Sequence, residues 1–127
     1  MMELAAGFLL LFISALHIVY GEKKPLAELS RLTSDSVLIG SVRVMSLQGG
    51  VLLFAVGMVH VLSFLKIFTL SGMAVFFPVG IVGLNLVTFL FVALAKHRKL
   101  FSIIIFQLIL FGVILVLQIL AVMRNLR

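Results

Sequence analysis

Few residues in this chain could do chemistry, and most of them sit in or beside a long apolar run. There are three His, four acidic residues and ten Lys or Arg among 127 residues. His17 precedes Glu22 by little more than one helical turn. An imidazole and a carboxylate near a membrane surface suit proton transfer or ligand binding, and suit equally well a plain interfacial hydrogen bond. Arg43 could pair with Glu22 or Asp35, or hold a phospholipid or another anionic amphiphile. Gln48 and Gln107 add neutral hydrogen-bonding groups. His17, Glu22, Arg43, Gln48 and Gln107 are therefore the candidate binding residues. Cysteine is absent, which excludes disulfides, thiolate catalysis and thiolate metal sites. No nucleophile–base pair is recognisable, so no catalytic residue stands out. A metal site built from His17, Glu22 and His97 would lack tight ligand spacing, and the sequence names no cofactor.

These residues must be positioned by elements built for lipid. The chain is 64% hydrophobic and only 11% charged, where a soluble domain is nearer half apolar and one quarter charged. The expected class is all-α: a polytopic transmembrane four-helix bundle forming one membrane domain over residues 1–127. The approximate spans are 4–20, 44–65, 73–95 and 100–123, with a short interfacial segment over 25–33. The first span carries Glu3 and no Lys or Arg before it, and no small-x-small cleavage site follows. It reads as a retained helix, with Gly21 as its stop. Thr33 or Ser34 is expected to cap the second helix, with Asp35 in its first turn. Ser71 is a candidate cap for the third, and Pro78 should kink or loosen a turn within it.

Depth separates the polar residues into two groups. A helix rises about 1.5 Å per residue, so His60, 17 residues beyond Arg43, lies roughly 25 Å further along. His17 and His60 therefore cannot easily share one ion or one haem. His17, with Ser14 one turn deeper, belongs with Glu22, Arg43, Gln48 and Gln107 at one level. His60 belongs near the opposite face, where Gln118 could meet it. Asn85, with Thr88 nearby, lies near mid-membrane. Hydrogen bonding across helices is the structural reading of Asn85, Gln107 and Gln118.

Small residues recur along the second and third helices. Ser46, Gly49/Gly50, Leu53, Gly57 and His60 follow three- and four-residue steps, as do Gly80 and Gly83. Such spacing lets backbones approach, within one bundle or between protomers; a substrate path along the stripe is the alternative.

Basic residues set the expected orientation. Lys23, Lys24, Arg31, Arg43, Lys96, Arg98 and Lys99 fall on one side, and Lys66, Arg124 and Arg127 on the other. The positive-inside rule places both termini outside the cell membrane, with loops 21–36 and 96–99 cytoplasmic. A net charge of +6 distributed this way speaks for headgroup contact. Without a basic face or aromatic platform, nucleic acid is not an expected partner.

The stretch Ala15-Leu16-His17-Ile18-Val19-Tyr20-Gly21-Glu22-Lys23, followed by Pro25-Leu26 and Arg43, resembles a group of small prokaryotic four-helix integral membrane proteins of uncharacterised function. They close helix one with an H-x-x-x-G-E-(K/R) signature and carry an Arg near the start of helix two. The likeness covers roughly the first half of the chain and implies that His17, Gly21 and Glu22 act as a unit. A Trp-His pair often follows the Arg in that group, whereas Val44-Met45-Ser46-Leu47-Gln48 stands here; the missing histidine weakens the two-histidine metal site that the resemblance would imply. Fluoride channels and small multidrug transporters fit less well, for lack of a Phe/Thr pore motif and of a membrane-embedded Glu in helix one.

Three function classes follow. The first is an oligomeric transporter or channel, or a lipid- or amphiphile-binding protein, working through the polar cluster. The second is an accessory or assembly subunit of a larger membrane complex. The third, a membrane-embedded enzyme, has the least behind it. Four short helices bury little by themselves, so a homo-oligomer or a larger complex is expected.

Overall fold

The computed structural model describes residues 1–95 and 100–125, and the side chains of all of these except 100–104 and 125. The chain forms α1 (Met2–Gly21), a π-helical turn (Glu22–Leu26), α2 (Ala27–Leu32), α3 (Ser36–Phe64), a 3-10 turn (Gly72–Phe76), α4 (Phe77–Ala95) and α5 (Leu100–Asn125). Four stretches, Met2–Leu32, Ser36–Phe64, Gly72–Ala95 and Ile105–Arg124, are long and apolar enough to cross a bilayer. Helices suit that solvent because each closes its own backbone hydrogen bonds where no water can. The basic run Lys96-His97-Arg98-Lys99, and with it any role for His97 as a ligand, lies outside the described residues, as does Arg127.

Three local expectations are corrected. Gly21 does not stop α1. It keeps right-handed helical angles (φ −56°, ψ −45°), and the chain runs on through the π turn into α2. Glycine permits a left-handed stop without compelling one. Pro25 lies inside the π turn; its ring has no N–H and would press on the carbonyl four residues back, and a wider turn relieves both problems. The cap of α3 is Asp35 itself, whose Oδ1 accepts from the Val37 and Leu38 N–H groups at 2.9 and 3.1 Å. Thr33 Oγ1 accepts from the Asp35 N–H, so it supports the cap without being it. Pro78 falls in the first turn of α4, directly after the 3-10 turn. A proline there forfeits no helical hydrogen bond, so no mid-helix kink arises.

α3 closes with Lys66 in a left-handed conformation (φ 58°). The Lys66 N–H donates to the Ser63 carbonyl and the Ile67 N–H to that of Leu62. This pair of bonds is the Schellman closure, here with lysine where glycine is usual.

α1 and α3 form an antiparallel hairpin in which glycines bring the backbones together. A Cβ placed on Gly57 would stand 3.0 Å from the Gly7 carbonyl oxygen, and one on Gly50 would collide with Ile18. Ser14 Oγ donates to the Gly50 carbonyl at 2.7 Å across the same seam. α5 packs on α1 and α4, while α4 touches α3 only lightly. Leu10 and Ile13 from α1, Leu53 and Val56 from α3, Val82 from α4, and Phe111 and Ile114 from α5 make the common core.

Candidate functional site

The antiparallel seam sorts the polar side chains by height. Towards the first-loop end, α1 presents His17 and Tyr20, the π turn presents Glu22, and α3 presents Ser46 and Arg43. Arg43 Nε donates to Glu22 Oε1 at 3.1 Å. Both side chains are substantially exposed (52% and 37%), so the pair orders the end of the hairpin without being locked in it. One turn inward, the His17 ring reaches the Ser46 backbone, and its Nε2 stands 3.1 Å from where a Gly49 Cβ would be. A Cβ on Gly21 would collide with the Ser46 hydroxyl. Thus α3 accepts His17 where it is because position 49 has no side chain.

His17 also faces a cleft between α1 and α5. Its volume is about 230 Å³. Ile13, Leu16 and Tyr20 line it from α1, and Phe106, Gln107 and Leu110 from α5. Two polar groups, His17 and Gln107, therefore look into a mostly apolar space, with the Tyr20 side chain beside them. Sequence reading passed over Tyr20. Its distance of one turn from His17 was visible, but which flank of α1 meets α5 was not.

Gln48 lies apart from this arrangement. It is exposed and does not line the cleft. Five residues separate it from Arg43, which turns it about 140° around the helix at 100° per residue. The structure thus joins Glu22 with Arg43 and His17 with Gln107, and leaves Gln48 on another side of α3.

Near the other end, His60 and Gln118 meet. The Gln118 amide nitrogen is 2.7 Å from His60 Nε2, and Gln118 is fully buried. With the amide in this orientation it donates to an unprotonated Nε2. Among the described residues Gln118 Oε1 has no hydrogen-bond partner. The backbone of α1 is close by, since a Gly7 Cβ would lie 3.2 Å from the His60 Cβ. His17 packs at Gly49 and His60 stands 11 residues further along α3, about 16 Å by helical rise. One ion or one haem cannot span them, and among the described residues no three His, Asp or Glu side chains gather to hold a metal ion.

Gly80 and Gly83 are placed differently from the glycines of α3. A Cβ on Gly80 would meet nothing within 4 Å, and one on Gly83 would only reach ordinary contact with Leu115. Asn85 turns inward on its own helix, its Nδ2 donating to the Ile81 carbonyl at 2.9 Å. With Leu84, Thr88, Phe89 and Val92 it borders an open groove of about 350 Å³ on α4.

No protein-family model, curated protein or solved structure matches the chain. The functional reading therefore rests on geometry alone.

Proposed function

We propose that the protein binds a single-chain amphiphile in the cleft between α1 and α5, with the Glu22–Arg43 end of the hairpin at the cytoplasmic surface. One observation carries the reading: His17 and Gln107 converge on an otherwise apolar cleft of about 230 Å³. A chain of methylene groups fits the walls of Ile13, Leu16, Phe106 and Leu110, and a carboxylate or hydroxyl head would find hydrogen-bond partners in His17, Gln107 and Tyr20. Movement of such a ligand between leaflets is the transport form of this function.

The test is photolabelling of the purified protein with a diazirine-bearing fatty acid. Labelling should concentrate on the α1 and α5 peptides around Tyr20 and Phe106. His17→Leu with Gln107→Leu should reduce it severalfold without loss of folding. Uniform labelling of all lipid-facing helices, unchanged in the double variant, would overturn the proposal. Orientation is read separately, by maleimide accessibility of single cysteines at positions 24 and 66; the cysteine-free chain needs no background removal.

A second reading, an accessory subunit, draws on α4. Its exposed groove sets Thr88 and the flank of Asn85 among apolar side chains, which would suit a partner helix. Gentle solubilisation followed by native mass spectrometry distinguishes them. A constant unrelated subunit supports docking, and a homomeric protein carrying an amphiphile supports the first reading.

A further inference from the structure

At the end of the bundle opposite Glu22 and Arg43, the start of α1, the close of α3 and the last turns of α5 surround a pocket of about 490 Å³. Ser63, Phe64, Lys66 and Leu70 line it from α3 and its exit, Glu3 from α1 and Arg124 from α5. Two cations and one carboxylate give the lining a positive balance. Glu3 has an interaction partner of its own, and its single carboxylate is outnumbered by the two cations of the lining. The position of Lys66 is not accidental to the loop. The Schellman bonds of Lys66 to Ser63 and Ile67 to Leu62 hold its backbone left-handed, and so fix the root of that side chain at the pocket. Arg124, in the last turn of α5, brings a planar fork of donors suited to phosphoryl oxygens. Ser63 adds a hydroxyl-bearing residue to the lining, and Phe64 and Leu70 give the pocket an apolar wall. The volume falls within the usual range for small-molecule sites.

From this arrangement we propose that the pocket is a phosphoryl-anion site at the membrane surface, with Lys66 and Arg124 as its charged ligands. Its ligand chemistry is a phosphate mono- or diester, whether the headgroup of an anionic phospholipid or a free phosphate. A lipid would place its ester region against Phe64 and Leu70; a free phosphate would use only the polar side. Two of the three basic residues that count as a weak topology signal on this side of the membrane then have a local task. The site is independent of the α1–α5 cleft, which lies at the other end of the bundle and carries no residue in common with it.

The experiment uses the full chain in neutral phosphatidylcholine nanodiscs, titrated with phosphatidylglycerol or with inorganic phosphate and read by native mass spectrometry. Wild-type protein should retain phosphatidylglycerol over phosphatidylcholine on the order of tenfold. Lys66→Asn with Arg124→Gln should abolish that preference, while Lys24→Gln, at an exposed cation of the opposite end, leaves it intact. Asn is chosen at position 66 because it tolerates the left-handed backbone, and both side chains are exposed, so folding should survive; circular dichroism checks it. Displacement of the lipid by millimolar phosphate assigns the site to free phosphate, and resistance to displacement assigns it to the lipid. Equal retention of both lipids by wild type with no phosphate bound, or an unchanged preference in the folded double variant, would overturn the proposal. The His17→Leu, Gln107→Leu variant should bind here as wild type does, so failure of either site is read without the other.

Discussion

The α1–α3 hairpin and α4 are built from similarly apolar sequence, yet they are held very differently. In the most apolar 18-residue stretch of each, 28% of Met2–Leu32 and of Ser36–Phe64 is buried, against 11% of Gly72–Ala95. The hairpin has a backbone-to-backbone seam: Gly7 on Gly57, Gly50 on Ile18, and Ser14 bonded to the Gly50 carbonyl. α4 has Val82 in the common core and otherwise turns Leu84, Val87, Phe91 and Leu94 outward. Lipid tails are as apolar as leucine, so hydrophobicity cannot drive one helix onto another within the bilayer. What decides is how closely backbones fit and whether polar groups are shared. By that criterion the hairpin is the structural unit, and α4 is the element with capacity left for a partner.

Substitutions break or sharpen this contrast to different degrees. The largest effect is expected at Gly57→Leu, where the new side chain must displace Leu11 and the Gly7 carbonyl. A loss of about 3 kcal/mol, in the overpacking range, should appear in steric-trapping or denaturant unfolding in bicelles; a loss no larger than at Gly80 would mean the seam does not hold the hairpin. Next comes the buried pair. His60→Leu or Gln118→Leu alone should cost about 1–2 kcal/mol by stranding the other polar group. The double change should recover most of it, because among the described residues Gln118 Oε1 has no hydrogen-bond partner to lose. Equal costs that simply add would show that the two side chains do not depend on each other. Arg43→Gln breaks an exposed pair and should cost below about 1 kcal/mol. Its effect should shrink further as salt is raised. Smallest is Gly80→Leu, with no change in stability of the isolated chain, since a Cβ there meets nothing. Should this same variant dissociate an oligomer or release a subunit in native mass spectrometry, the open side of α4 is an interface.

The fold was legible because composition, length and charge placement speak directly about a bilayer. Four apolar runs punctuated by basic or polar loops leave little room for another architecture. Height was legible too: a fixed rise per residue separated His17 from His60 and set His60 level with Gln118, and the structure shows that second pair in contact. Direction around each helix was much harder to read. In water an apolar stripe marks the buried side, but in lipid both the buried and the lipid-facing sides are apolar. The sequence could therefore group Gln48 with Arg43 by height while their directions differ by more than a third of a turn. For the same reason Tyr20 went unremarked beside His17. Glycine was informative only in company. Gly50 lies against the Ile18 side chain and Gly57 against the Gly7 carbonyl and Leu11 of α1, whereas Gly80, with the same spacing signal, faces open space.

The π turn after Gly21 has a consequence beyond accommodating Pro25. It inserts a single wide coil between two right-handed stretches and so sets the azimuth of α2 relative to α1, much as a shim sets the angle of a hinge. Leu26, nearly fully buried, and Glu22, joined to Arg43, are both correct only for that angle. Removing one residue at Lys23 would let the coil tighten to an α turn and swing α2 by about 100° relative to α1. A cysteine at position 26, protected from maleimide in the intact chain, should then become reactive while α1 and α3 remain paired. The turn thereby sets the phase of α2 separately from that of α1.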